Sequence, residues 1–97
     1  MFVHADKLQL RSHSSNEEYV SCYNNGQVEI YYDNSKKFET TSTGAAVTGE
    51  LDVSGTIDMN TDTGRLKLGA GDDLSLWHDG SNSYIANTGG QLRIWAK

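Results

Sequence analysis

The sequence has no proline, a single cysteine and no apolar run approaching the roughly 18 residues that a membrane-spanning helix needs. One cysteine excludes an intrachain disulfide, a CxxC pair and a thiolate zinc site. No histidine or basic residue adjoins Cys22 to activate its thiol, so it reads as a half-buried strand residue. Basic residues are scarce, 8 Lys and Arg against 13 Asp and Glu for a net charge of −5, which leaves no cationic face for nucleic acid or anionic membrane. The first residues, MFVHADKLQL, lack the basic and apolar regions of a signal peptide. Neither Sec export nor membrane insertion is therefore expected. Only 36% of the 97 residues are hydrophobic, too few for a thick monomeric core in a chain this short.

What is abundant is turn chemistry. Ten glycines accompany many Ser, Thr, Asn and Asp residues, and no segment carries an apolar stripe of helical period. Residues 14–20, SSNEEYV, could form a turn of helix but fit better as the polar tip and first residues of a hairpin. These features predict an all-β fold of short strands.

One pattern recurs: glycine, any residue, apolar, polar, apolar. It occurs as GQVEI (26–30), GELDV (49–53), GTIDM (55–59), GRLKL (64–68) and GQLRI (90–94), and with aspartate leading as DKLQL (6–10) and DDLSL (72–76). In a pleated strand this spacing sends the apolar pair to one face and the polar residue to the other, while the leading Gly or Asp suits a turn. Residues 48–59, TGELDV then SGTIDM, are two such hexads in tandem. A longer repeat aligns 28–44 with 74–90, matching Val28 with Leu74, Ile30 with Leu76, Asp33 with Asp79 and Phe38 with Tyr84. The ends also match at Leu8/Leu92 and Leu10/Ile94, as in an excerpt of a longer repetitive protein. The chain reads as one repetitive segment, 1–97, with sub-repeats at about 6–30, 26–48, 49–68 and 72–97.

Inward positions from 44 to 68 are small or medium, which suits a slender prism in which identical chains each offer one face to a shared axis. The predicted architecture is an elongated, intertwined homotrimeric β-prism or a triple-stranded β-helix-like shaft. Its core and subunit interface would comprise Val28, Ile30, Leu51, Val53, Ile57, Met59, Leu66, Leu68, Leu74, Leu76, Leu92 and Ile94.

The runs VEIYYDNSKKFETTSTGAAVTGELDVSG and GDDLSLWHDGSNSYIANTGG resemble the repeated units of phage tail-fibre and related virion appendage proteins, particularly those of marine phages. The resemblance covers most of the chain. It implies a fibrous, trimeric, β-rich appendage segment located on the virion, with other appendage proteins as partners, and it supplies no catalytic residue.

Trp77, His78 and Asp79 stand together as an active site might. Adjacent strand residues point to opposite faces, however, and the aligned copy has Tyr32 in place of His78, so no catalytic dyad is expected. Asp72, Asp73, His78, Asp79 and Asn82 could supply metal ligands, but the EF-hand spacing does not follow from Asp79, and Asp79-Gly80 is better explained as a turn. No metal or cofactor is expected. Tyr31, Tyr32 and Trp77, with Trp95 nearby in type, could instead stack on the apolar faces of a host-surface glycan, although hairpin aromatics commonly brace cross-strand neighbours. Lys36 and Lys37 read as a solvated pair at a strand edge. Three functions follow, in order: a non-enzymatic structural segment of a virion fibre that supports host attachment, a receptor- or glycan-binding module of such a fibre, and a bacterial surface adhesin repeat.

Overall fold

The computed structural model describes residues Met1–Lys97. It is all-β, with eight strands and no helix: β1 (Lys7–Arg11), β2 (Glu18–Tyr23), β3 (Val28–Tyr32), β4 (Ser35–Thr41), β5 (Gly44–Val47), β6 (Leu66–Leu68), β7 (Leu74–His78) and β8 (Ser83–Asn87). The chain divides into two compact units, Met1–Asp52 and Val53–Lys97. The first holds an antiparallel meander ordered β1-β2-β3-β4-β5, and the second holds a three-stranded meander, β6-β7-β8.

Local chemistry sets each connection. Residues 12–17 form a hairpin tip closed by Ser12 N–H donating to the Glu17 carbonyl at 2.9 Å, so the stretch 14–20 divides between that tip and the start of β2. Between β3 and β4 the loop is two residues, Asp33 and Asn34, both at positive φ (47° and 63°). That is the type I′ geometry whose twist matches antiparallel strands, and Asp and Asn tolerate it. The aligned turn between β7 and β8 is four residues, Asp79 to Asn82. The related hairpins therefore differ in their return registers: Trp77 pairs with Tyr84, whereas Phe38 pairs with Ile30.

Register sorts the side chains by chemistry. Leu10, Val20, Ile30, Phe38 and Val47 form one continuous row across all five strands of the first sheet, with Leu8, Cys22 and Val28 in a second row on the same face. The opposite face carries the row Gln9, Ser21, Glu29, Glu39 and Ala46. In the second sheet Leu66, Leu76 and Ile85 form an apolar row flanked by Leu68 and Leu74, and Lys67, Ser75 and Ala86 lie on the reverse. The alternation expected from the repeat holds in β1, β3, β6 and β7.

Burial runs opposite to polarity. No apolar residue is buried, and the buried residues are Ser21, Glu29 and Ser75. The polar face of the first sheet closes over itself because its long side chains bond one another and shade the small Ser21. On the apolar faces Ile30 retains 45% of its exposure and Leu66 retains 50%.

Three of the seven repeat units form no strand within the chain: 49–53, 55–59 and 90–94. Leu51, Val53, Ile57, Met59, Leu92 and Ile94 are all exposed. Their alternation matches that of the units that do pair, so what they lack is a neighbouring strand.

Candidate functional site

Two side-chain clusters stand on the polar faces, one in each unit. In the first unit, Arg11 donates to Glu18 at 2.8 Å, and Gln9 donates to Glu18 at 3.0 Å and to Ser21 at 3.2 Å. Tyr31 O–H donates to Glu29 at 2.9 Å, and Lys36 bridges Glu29 at 3.3 Å and Glu39 at 2.9 Å. A β-bulge between β1 and β2, where Leu10 pairs with Val20 but Arg11 pairs with Glu18, lets Glu18 join this face.

The network fixes charge states. The bond from Arg11 holds the Glu18 carboxyl below its ordinary 4.5. Glu29 is lowered chiefly by the Tyr31 hydroxyl and then by Lys36. Lys36 is raised by Glu39 and then Glu29. Burial, reinforced by the bond to Glu29 and the nearby Glu18 charge, pushes the Tyr31 phenol well up. Ionised carboxylates with a neutral phenol and a charged lysine form a satisfied structural lattice.

Lys36 is therefore no solvated edge residue. It lies on β4, inside the sheet order, with both carboxylate partners in reach, while Lys37 is the bulged residue between the Tyr31–Lys36 and Ile30–Phe38 pairs. Part of the signal for this network was present in the polar positions of two repeat units, Gln9 and Glu29, which share one row with Ser21 and Glu39. Reading it required the strand register, which hydrophobic alternation alone does not give.

The second cluster surrounds the sequence that looked catalytic. The Asp79 carboxylate accepts from Asn82 N–H at 2.7 Å, Ser81 N–H at 2.9 Å and Tyr84 O–H at 2.9 Å. The Asn82 and Ser81 amides, followed by Tyr84, hold its pKa below the ordinary 3.8. His78 Nδ1 lies 2.9 Å from Ser83 Oγ across the hairpin. Asp79 is thus the anchor of the turn, and His78 bonds a serine rather than Asp79. Asp72 faces Lys67 at 3.5 Å, and no three His, Cys, Asp or Glu side chains converge as metal ligands would.

Trp77 stands on the central strand between two neighbours. The Tyr84 ring stacks on it at 4.6 Å between centroids and 15° between planes, and the Arg65 guanidinium carbon lies 3.9 Å from the indole centroid. Arg65 comes from the β6 side and Tyr84 from β8, so the two cover opposite indole faces. An open depression beside the stack is lined by Asp62, Thr63, Arg65, Trp77, Asp79 and Tyr84. No family model, curated protein or solved structure matches the chain.

The three aromatic residues singled out for glycan contact fall in both units. Tyr31 lies on the polar face within the Glu29 network, its neighbour Tyr32 is 74% exposed at the end of β3, and Trp77 belongs to the other unit with both ring faces covered. Arg65 is the stack member that the sequence reading missed. It sits one residue before β6, opposite Trp77 by continuation of the Leu66–Leu76 pairing.

Proposed function

We propose that the chain is a non-enzymatic structural segment of a phage tail fibre or related virion appendage, working as a homotrimer. Its task is mechanical, to extend and stiffen an appendage that supports host attachment. The observation that carries this reading is that no apolar side chain is buried within the chain, although the strands segregate apolar residues onto continuous faces. A sheet with one apolar face needs a second layer, and fibre geometry supplies it from identical chains around a common axis. Val28 and Ile30 on the first sheet, with Leu66, Leu68, Leu74 and Leu76 on the second, would form the shared core.

Both polar clusters are internally bonded, which fits an outer surface built for rigidity. The resemblance of 26–59 and 64–90 to virion appendage repeats supplies the context, with other appendage proteins as axial neighbours. Gold-labelled antibody against the chain, applied to particles of the virus encoding it, is expected to decorate an appendage. Particles that contain no such polypeptide by mass spectrometry would remove the chain from the virion.

A second reading, recognition of a host glycan, draws support from the depression beside the Arg65–Trp77–Tyr84 stack, where carboxylates and a guanidinium are placed to bond hydroxyl groups. Since both indole faces are covered, such a site would act through hydrogen bonds and ring edges. Glycan-array binding that is lost in Trp77→Ala, with assembly intact, is the expected mark of recognition. Binding unchanged by that substitution would remove this depression as its seat.

A further inference from the structure

The stretch 49–59 contains two tandem repeat units yet has no strand partner. From Gly49 to Asp58 no backbone N–H or C=O bonds any group of the chain. The bonds that bracket the stretch are Thr48 N–H to the Lys37 carbonyl at 2.9 Å and Thr61 N–H to the Met59 carbonyl at 2.8 Å. All its residues are exposed, including Leu51 and Ile57 at 70% each. Four related units, in β1, β3, β6 and β7, do pair within the chain.

We propose that residues 49–59 form the interchain strands of the assembly, each copy hydrogen-bonding through this segment to the same segment of its neighbours. This rests on the trimer reading above and assigns the element that knits the copies together. Three observations point to a second copy as occupant.

The first is the backbone itself: both edges of the segment are open. A single foreign strand would satisfy one edge only, whereas a closed ring of identical chains satisfies both, each segment bonding one neighbour on either side. The second is periodicity. TGELDV and SGTIDM repeat at a step of six residues, taking Leu51 to Ile57 and Val53 to Met59, and every gap is even, so three copies wound with that step place all four apolar residues on one side, toward the axis. The third is the placement of charge. Glu50, Asp52 and Asp58 are the only charged residues from 49 to 59, and all occupy the alternate, outward positions, where solvent and salt screen them.

The intrachain sheets carry no such requirement, since their backbone bonds are made within each copy. Assembly and folding are then coupled at 49–59 and separable in β1–β5.

Hydrogen–deuterium exchange on the assembled 97-residue chain tests the assignment. Amides from 49 to 59 are expected to exchange at least about a hundredfold more slowly than an unstructured peptide of the same sequence. As a second readout, Asp52→Pro and Asp58→Pro remove one amide donor each at positions that make no intrachain bond. Each is expected to raise the concentration at half-dissociation by about tenfold or more, while β1–β5 amides stay protected. A stable oligomer in which 49–59 exchanges freely and both proline variants assemble normally overturns the interchain strands and leaves the trimer standing. A wild-type chain that stays monomeric overturns both.

Discussion

Replacing Ile30 by alanine probes the middle of the longest apolar row, where it lies between Val20 and Phe38. Within one chain Ile30 keeps 45% of its exposure, so that fraction of the side chain is what assembly can still remove from water. Full burial of an isoleucine contributes about 1.5–3 kcal/mol, and the remaining 45% accounts for about 1 kcal/mol per chain. Three chains lose about 3 kcal/mol together, or about two decades in the trimer association constant. Because that constant scales with the square of concentration, the half-dissociation point should rise about tenfold. Sedimentation equilibrium across a dilution series measures it directly. The polar-face substitution Lys67→Ala is the control and should change assembly free energy by less than about 0.5 kcal/mol. An Ile30→Ala protein that assembles as tightly as wild type, or a Lys67→Ala protein equally impaired, refutes the assignment of the apolar face as the buried one.

Other expectations follow from the polar faces and turns. Glu18, Glu29 and Asp79 have folded pKa values below their ordinary 4.5, 4.5 and 3.8, so the unfolded chain binds more protons in that range. Their stabilisation is complete above about pH 5 and lost as pH falls through the folded values. Tyr31 and Lys36 are raised above 10.0 and 10.5, so their contribution is complete below those values and lost as pH rises beyond them. Melting temperature against pH should show a plateau between these limits, and a maximum at pH 4 would contradict the network. Gly80→Ala places a side chain at φ +96° with its Cβ 3.1 Å from the Asp62 carboxylate, and should cost about 1–3 kcal/mol in denaturant unfolding. In a Trp95→Phe background, Arg65→Ala should increase acrylamide quenching of Trp77 by uncovering one indole face; unchanged quenching would mean that Arg65 does not shield the ring.

Strand chemistry was legible in the sequence wherever a repeat unit met a partner encoded nearby. Leu8/Leu10 and Val28/Ile30 announced β1 and β3, and the polar tip at 14–17 announced the hairpin between β1 and β2. The same alternation at Leu51/Val53 and Ile57/Met59 predicted strands that the single chain does not form, because alternation specifies two faces and says nothing about which backbone lies alongside. Asp79 was readable as a turn residue from Asp-Gly alone, whereas the bond it accepts from Tyr84 needed Tyr84 to be placed opposite Trp77. That register depends on a loop two residues longer than the one in the aligned hairpin. Arg65 escaped notice because nothing local links a residue before β6 to an indole on β7. The burial of Glu29 also ran against composition, since a glutamate on a thin sheet is ordinarily a solvent-facing residue.

The central claim is that apolar faces left open by one chain are closed by two more. Light scattering coupled to size-exclusion chromatography at micromolar concentration measures this without labels or substitutions. The expected molar mass is about 32 kDa, three times the 10.7 kDa of one chain. A sharp, stable peak at 10.7 kDa would contradict it, because a single chain would then be the whole assembly.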